Sequence, residues 1–149
     1  MWGAISVRGK IGMYTFTENM DRHLYREILA NNVYGRQHWV FQHDNDPKHT
    51  SRDVRNDLEM KLPGRVLQWP SYSPDLNLIE NIWACLKRNV EKRVKGMVAQ
   101  KKSVTKEVFV ALVKEEWENI PDALILTSIS SMPNRIQACI DAEGGHTKY

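Results

Sequence analysis

The run from Trp69 to Arg88 reads Trp-Pro-Ser-Tyr-Ser-Pro-Asp-Leu-Asn-Leu-Ile-Glu-Asn-Ile-Trp-Ala-Cys-Leu-Lys-Arg, and it constrains the fold more than any other part of the chain. It opens as a loop punctuated by Pro70 and Pro74 and continues as a helix. Ser73 is placed to cap that helix, Pro74 suits its first turn, and Asp75 complements its positive end. Leu76, Ile79, Trp83, Leu86 and Val90 recur at three- and four-residue steps, so one face of the helix requires a core. Glu80 borders that apolar stripe. A carboxylate there is costly to bury unless a cation meets it, and pairing with a neighbouring arginine or lysine is the plainest role for it.

A second stretch changes the weight of Glu80. Trp39-Val-Phe is a short continuous apolar run of the kind that forms a buried strand, and it leads through Gln42 and His43 to Asp44, Asn45 and Asp46. Pro47 stops any continuation. Acids at the carboxyl end of a buried strand lie where open α/β sheets hold their chemistry. Two carboxylates from different elements, Asp44 and Glu80, suit a hard divalent cation such as magnesium.

Gln42-His-Asp-Asn-Asp-Pro-Lys-His-Thr and Ser73-Pro-Asp-Leu-Asn-Leu-Ile-Glu-Asn-Ile-Trp resemble the second and third acidic motifs of the Tc/mariner transposases. In that family three acids, Asp, Asp and Glu or Asp, bind two metal ions on a ribonuclease H-like fold. The resemblance runs from Trp2 to Tyr149. It implies an α/β fold, a ribonuclease H-like mixed sheet flanked by helices, with residues 1–149 forming part of a DDE transposase catalytic domain. Asp44 corresponds to the second acid and Glu80 to the third, so both are implied catalytic and metal-binding residues. The implied cofactor is Mg2+ or Mn2+, as two ions in the complete domain. DNA is the implied partner, with self-association possible and a nuclear location. The chain departs from the pattern at His43, where many members have glutamine, and at Leu78, where proline is common. The gap between Asp44 and Glu80 is one residue longer than the commonest spacing, and the turn at Leu62-Pro63-Gly64 is a tolerant place for it.

The remaining sequence is read around these motifs. Residues Trp2 to Glu18 predict a hairpin, with Ala4, Ile5 and Val7 on one strand, a turn at Arg8-Gly9-Lys10 and a return from Ile11 to Phe16. Asn19 to Asn32 predicts a helix with Leu24, Ile28 and Leu29 inward. Thr50 or Ser51 caps a helix reaching about Met60, and Arg65 to Trp69 is a short strand. Gly96 to Lys102 reads as a loop, and Ser103 as the cap of a helix whose Phe109, Leu112, Val113, Glu116, Trp117 and Ile120 share a side. Its acids Glu115, Glu116 and Glu118 read as an exposed face. Pro121 breaks it, a short apolar helix follows to Ser130, and Pro133 opens the last helix, which Gly144-Gly145 ends. Cys85 and Cys139 lack metal-ligand spacing and read as buried, inert thiols. The opening residues lack a signal-peptide core, and no segment is long enough to span a bilayer, so no membrane partner is expected.

Beyond Val90 the chain is strongly basic, although the net charge of +3 is modest. Lys87, Arg88, Lys92, Arg93, Lys101 and Lys102, with Lys48 and His49 beside Asp44, form the expected nucleic-acid-binding set. Basic residues near a helix carboxyl end also complement its dipole without any ligand. Asp46, Asn45 and His49 lie close enough in sequence to support metal ligands, but turn and cap chemistry is their simpler role.

At the amino end the family pattern is incomplete. Relatives place helix-turn-helix domains, and then a strand carrying the first catalytic aspartate, ahead of the segment that Trp-Gly-Ala-Ile-Ser resembles. That central strand has no match in this sequence, and Asp21 starts a helix after the hairpin. The expectation is therefore a truncated or decayed catalytic domain with impaired activity. Its alternatives are a nonenzymatic nucleic-acid- or protein-binding remnant, and a single-metal nuclease built on Asp44 and Glu80.

Overall fold

In the computed structural model, residues 1–36, 39–71, 73–145 and 147–149 are described. Tyr72 of the proline-punctuated loop and His146 of the closing segment lie outside them. The chain divides into two compact units, one made of Met1–Thr15 with Pro74–Tyr149 and the other of Phe16–Ser73. Among the described residues no helix is long and apolar enough to cross a membrane.

The first unit begins with an antiparallel hairpin of β1 (Trp2–Ser6) and β2 (Gly9–Tyr14). Its turn sits at Val7 and Arg8, one residue earlier than the sequence suggests, because Ser6 pairs directly with Gly9. Gly9 takes φ +95°, a conformation that an L side chain adopts only with strain. The chain returns to this unit at a short 3-10 turn, Pro74–Leu76, and then forms α3 (Ile79–Ala99). α4 (Lys106–Glu118), α5 (Asp122–Ser130) and α6 (Met132–Asp141) complete it. Leu86 and Val90 of the expected stripe lie in the core with Val113, Trp117, Ile120 and Ile125, while Ile79 and Trp83 pack partly buried against it and Ile82, outside the expected stripe, is fully buried. Gly3 of β1 meets the Trp83 and Trp117 rings, which lie with centroids 5.3 Å apart.

Several expected boundaries move. α3 runs through Gly96 to Ala99, so Gly96–Lys102 is not a loop throughout. Val94 packs on the core and extends the stripe, and a Cβ at Gly96 would meet nothing within 4 Å. The helix stops where Lys101 adopts φ +56° and the Lys102 amide donates back to Met97 O at 2.9 Å. Thr105, not Ser103, caps α4, its hydroxyl accepting from the Val108 amide. Phe109 stays half exposed, whereas Glu116 is buried. The acidic end of α4 is therefore not simply an exposed face: Arg93 Nη1 donates to Glu116 at 2.9 Å and reaches Glu115 at 2.8 Å. Cys85 and Cys139 are half-buried free thiols.

The second unit holds α1 (Arg22–Asn32) and α2 (Arg52–Lys61). Asp21 caps α1, its Oδ1 accepting from the amides of His23 and Leu24, both at 2.9 Å. Ile28 and Leu29 point inward as expected, joined by Tyr25, which is fully buried. The two predicted strands around Trp39–Phe41 and Arg65–Trp69 contract to one parallel bridge, Phe41 with Val66. The Phe41 amide donates to Arg65 O at 2.7 Å, and the Leu67 amide to Phe41 O at 2.8 Å.

Candidate active site

Asp44 stands three residues past the paired Phe41, where the chain has left the ladder and turns into the loop before α2. Its carboxylate is half exposed, at 50% of its side-chain surface. Its two recorded contacts among the described residues go to the same oxygen. The Asp46 amide donates to Oδ1 at 3.2 Å, and His49 Nδ1 lies 2.5 Å from it. With the carboxylate ionised, the proton of that contact sits on Nδ1, which fixes the tautomer of His49.

Around this pair the loop is built by its own polar groups. Asp46 Oδ1 accepts from the Lys48 amide at 3.0 Å, and its Oδ2 pairs with Lys48 Nζ at 2.6 Å. The His49 and Thr50 amides both donate to Asp46 O, at 2.8 and 3.0 Å, which carries the chain into α2. Ser51 makes no side-chain cap there. Asn45 Nδ2 donates to Trp69 O at 2.8 Å, tying the loop to the segment after Val66. Asp46 and Asn45 thus do the turn chemistry expected of them.

His49 is different. Its side chain is 12% exposed, it stacks on Tyr25 with centroids 4.0 Å apart, and its buried Nε2 has no hydrogen-bond partner among the described residues. Burial lowers its pKa, while the hydrogen bond and charge of Asp44 act in the opposite sense. Its ring is covered by Tyr25 and its Nδ1 is engaged by Asp44. Lys48, the other basic residue of this loop in the expected set, spends its charge on Asp46.

Next to it, burial drives His43 down to about 4, helped by His49 and opposed by Asp44. His43 is therefore neutral at pH 7. The Tyr25 hydroxyl, whose pKa burial pushes up, lies in hydrogen-bond contact with its Nδ1 at 3.3 Å. An unfolded histidine titrates near 6.5, so below that pH the unfolded chain binds a proton that the folded one refuses. Stability is intact above about pH 6.5 and falls as pH drops toward 4, by about 3 kcal/mol in all. Denaturant unfolding in metal-free buffer at pH 7 and 4.5 checks this. The loss is expected to shrink by most of that amount in His43→Asn, whose amide can still hydrogen-bond Tyr25 but has no proton to gain. An equal loss in both proteins would contradict it.

Glu80 lies in the first turn of α3 and is exposed. It has no recorded salt-bridge partner among the described residues, so the rim-pairing role is not what the structure displays. Asp44 belongs to one compact unit and Glu80 to the other. Among the described residues no group of three or more His, Cys, Asp or Glu side chains gathers as a metal cluster.

The basic residues of α3 separate by face. At roughly 100° per residue, Ile82, Leu86 and Val90 define the buried side, and Arg93 falls within it. Arg93 is accordingly engaged by Glu115 and Glu116, which hold its guanidinium well above its ordinary range. Lys87 lies on the side of Glu80, about two turns further on, and Arg88 and Lys92 lie further around the exposed surface. Lys87, Arg88, Lys92, Lys101 and Lys102 are exposed and have no salt-bridge partner among the described residues. Lys95 is taken by Glu91 at 2.6 Å. Sequence reading could have found Arg93's inward face by extending the stripe one more turn.

The mixed α/β chain is of the ribonuclease H-like class. Its fold is similar to a structure of the Mos1 transposase catalytic domain with Raltegravir and Mg, at TM-score 0.69 and 24% identity, over 95% of this chain and 73% of that one. The Mos1 mariner paired end complex with Mn gives TM-score 0.69 and 24% identity over 97% of this chain and 43% of that one. The chain belongs to the DDE superfamily endonuclease family, which it matches over residues 1–105. It is 40% identical to the transposable element Tcb1 transposase of Caenorhabditis briggsae and 36% identical to the transposable element Tc1 transposase of Caenorhabditis elegans. Both matches cover 100% of this chain and 54% of the relative, so the chain spans about half the length of the curated relatives it matches.

Proposed function

We propose that this chain supplies the second and third acidic residues, Asp44 and Glu80, of a site that cleaves and joins DNA strands in a Tc/mariner-type transposase. The observation that carries the reading is the posture of Asp44. It lies three residues past the Phe41–Val66 bridge, and one of its oxygens is held by His49 and the Asp46 amide. Its Oδ2 has no hydrogen-bond or salt-bridge partner among the described residues. A half-exposed carboxylate oriented by a buried histidine is a poor stabilising device and a good ligand.

The donor chemistry fits a hard divalent cation, since ionised carboxylate oxygens are the ligands Mg2+ and Mn2+ take. Bound divalent ions supply activation of the attacking oxygen and stabilisation of the leaving one. The chain's own share is to present Asp44 Oδ2 in a fixed direction and to present Glu80 from the start of α3. Lys87, Arg88 and Lys92 contribute positive charge along the same helix, suited to a phosphate backbone. DNA is the partner, and a nuclear location and self-association belong to the same reading.

The pattern's first acid has no match among these 149 residues. These residues alone are therefore expected not to nick DNA, and joining a relative's strand with that aspartate ahead of Trp2 is expected to produce Mn2+-dependent nicking. A joined chain that folds but never nicks under any divalent metal would reject the proposal.

DNA binding is testable in the chain as it stands. Each phosphate neutralised contributes about −0.9 to the slope of log affinity against log salt. Reversing Lys87, Arg88 and Lys92 to glutamate is expected to flatten that slope by about 3 units. Binding that ignores salt, or a slope unchanged by the reversal, would remove these residues from the interface.

A further inference from the structure

We propose that Arg135 is a positioning residue for Glu80: from α6, with the closing residues of the chain, it clamps the turn that presents this carboxylate. The inference rests on the reading of Glu80 as a metal ligand, and it begins from a weakness in the start of α3. Leu78 occupies the N-cap position with helical backbone angles and an apolar side chain, so no side chain caps the helix. Ser73, the residue the sequence offers for that task, donates its hydroxyl to Ser71 O instead. The first bonds are of the tighter three-residue kind and long, the Glu80 amide to Asn77 O at 3.1 Å and the Asn81 amide to Leu78 O at 3.2 Å. Left to itself such a turn frays, and the carboxylate on it would wander by more than metal coordination tolerates.

Arg135 removes that freedom from both sides. It is 4% exposed. Its Nη1 donates to Asp75 O at 2.5 Å, ahead of Glu80, and its Nη2 to Asn81 Oδ1 at 2.9 Å, immediately after it. Its Nε donates to Ser131 Oγ at 2.8 Å, which anchors the guanidinium to the start of its own helix. The same 3-10 turn is gripped a second time, because Asp75 Oδ2 accepts from Thr147 Oγ1 at 3.0 Å and from Cys139 Sγ at 3.3 Å. The Tyr149 ring covers the guanidinium, with its centroid 4.6 Å from Cζ.

This buried guanidinium has no salt-bridge partner among the described residues. Its lost hydration is replaced by a carbonyl, an amide oxygen, a hydroxyl and an aromatic face. For stability alone, apolar packing serves as well or better. What a planar fork offers beyond packing is direction, since it fixes a backbone carbonyl and a side chain relative to each other. A lysine, with one point of charge, does not reproduce that.

The test is amide hydrogen exchange on the full chain, read at Asn77 and Glu80 against Leu86 to Val90 in the same helix. Arg135→Lys is expected to speed exchange at Asn77 and Glu80 about tenfold or more while the middle of α3 keeps its protection. Because Arg135 is buried, Asn81→Ala and Tyr149→Ala serve as independent variants at less buried positions, with the same local pattern expected. In the chain joined to a first acidic strand, Asn81→Ala and Arg135→Lys are expected to lower kcat for nicking about tenfold with KM for DNA unchanged. Exchange at Asn77 and Glu80 that stays at the wild-type rate in all three variants would overturn the clamp. So would exchange that rises evenly across α3, α4 and α5, the mark of a residue that merely holds the fold. Glu80→Gln separates the two claims: full activity in that variant sinks the proposed site, whereas the exchange pattern judges the clamp.

Discussion

In a chain joined to a first acidic strand ahead of Trp2, Asp44→Asn and Glu80→Gln are each expected to lower Mn2+-dependent nicking at least about 1,000-fold. Both changes are nearly isosteric and remove only charge. The amide side chain that Asp44→Asn introduces keeps an oxygen for His49 Nδ1–H and the Asp46 amide, so the loop is expected to hold its shape. Glu80 is exposed and unpaired among the described residues, so its neutral analogue costs the fold little. The loss is therefore one of ligand charge, and an amide oxygen is a much weaker partner for a hard cation. Because residues that act as a unit are not additive, the double variant is expected to be no worse than either single one. Asp46→Ala removes the pair with Lys48 and a turn bond but is expected to leave nicking in place. Nicking that survives Glu80→Gln, with the melting curve unchanged, would show that the site has been assigned to the wrong residue.

Trp117→Ala is expected to destabilise the first unit by about 3–5 kcal/mol, the usual range for emptying a fully buried aromatic site. Trp117 is 1% exposed and lies in the core between α3 and α4. The hairpin reports on the same packing from its other side. A Cβ built on Gly3 would come within 2.6 Å of Trp83 Cη2 and 2.9 Å of Trp117 Cη2, so one methyl group forces two indoles apart. Gly3→Ala is therefore expected to cost about 1–3 kcal/mol by overpacking, although alanine favours strands no less than glycine does. Adding Trp83→Phe, which shortens the nearer ring, is expected to recover part of the loss, a coupling that unlinked sites would not show. Denaturant melts of the single and double variants measure it. A Gly3→Ala protein as stable as the parent would refute the close approach.

What could be read in the sequence follows from distance along the chain. The stripe Leu76, Ile79, Trp83, Leu86, Val90 was legible because helical spacing writes an apolar face into residues three and four apart, although its centre lies one residue over, with Ile82 buried and Trp83 only partly so. The hairpin and the Asp21-started helix were legible for the same local reason. Asp44 and Glu80 were singled out by motif chemistry, and Asp44 does follow a parallel pair, though the strands around it are shorter than their apolar runs suggest. Strand length is set by what pairs alongside, which no single run encodes.

The sequence by itself thus determined the existence and order of the helices, part of their buried faces and the positions of the two acids. Tertiary structure alone decided which polar groups meet. Arg93 looks like one more cation in a basic run until Glu116, 23 residues on, is found buried against it. His49 looks like a surface base until Tyr25 covers its ring and Asp44 takes its proton-bearing nitrogen. Ser73 has the right chemistry to cap α3, yet the start of that helix is held by Arg135, which donates to Asp75 from 60 residues away. A cap or a salt bridge forms wherever folding brings partners to within about 3 Å. The pattern of residues three or four apart carries no record of a partner that distant in the chain.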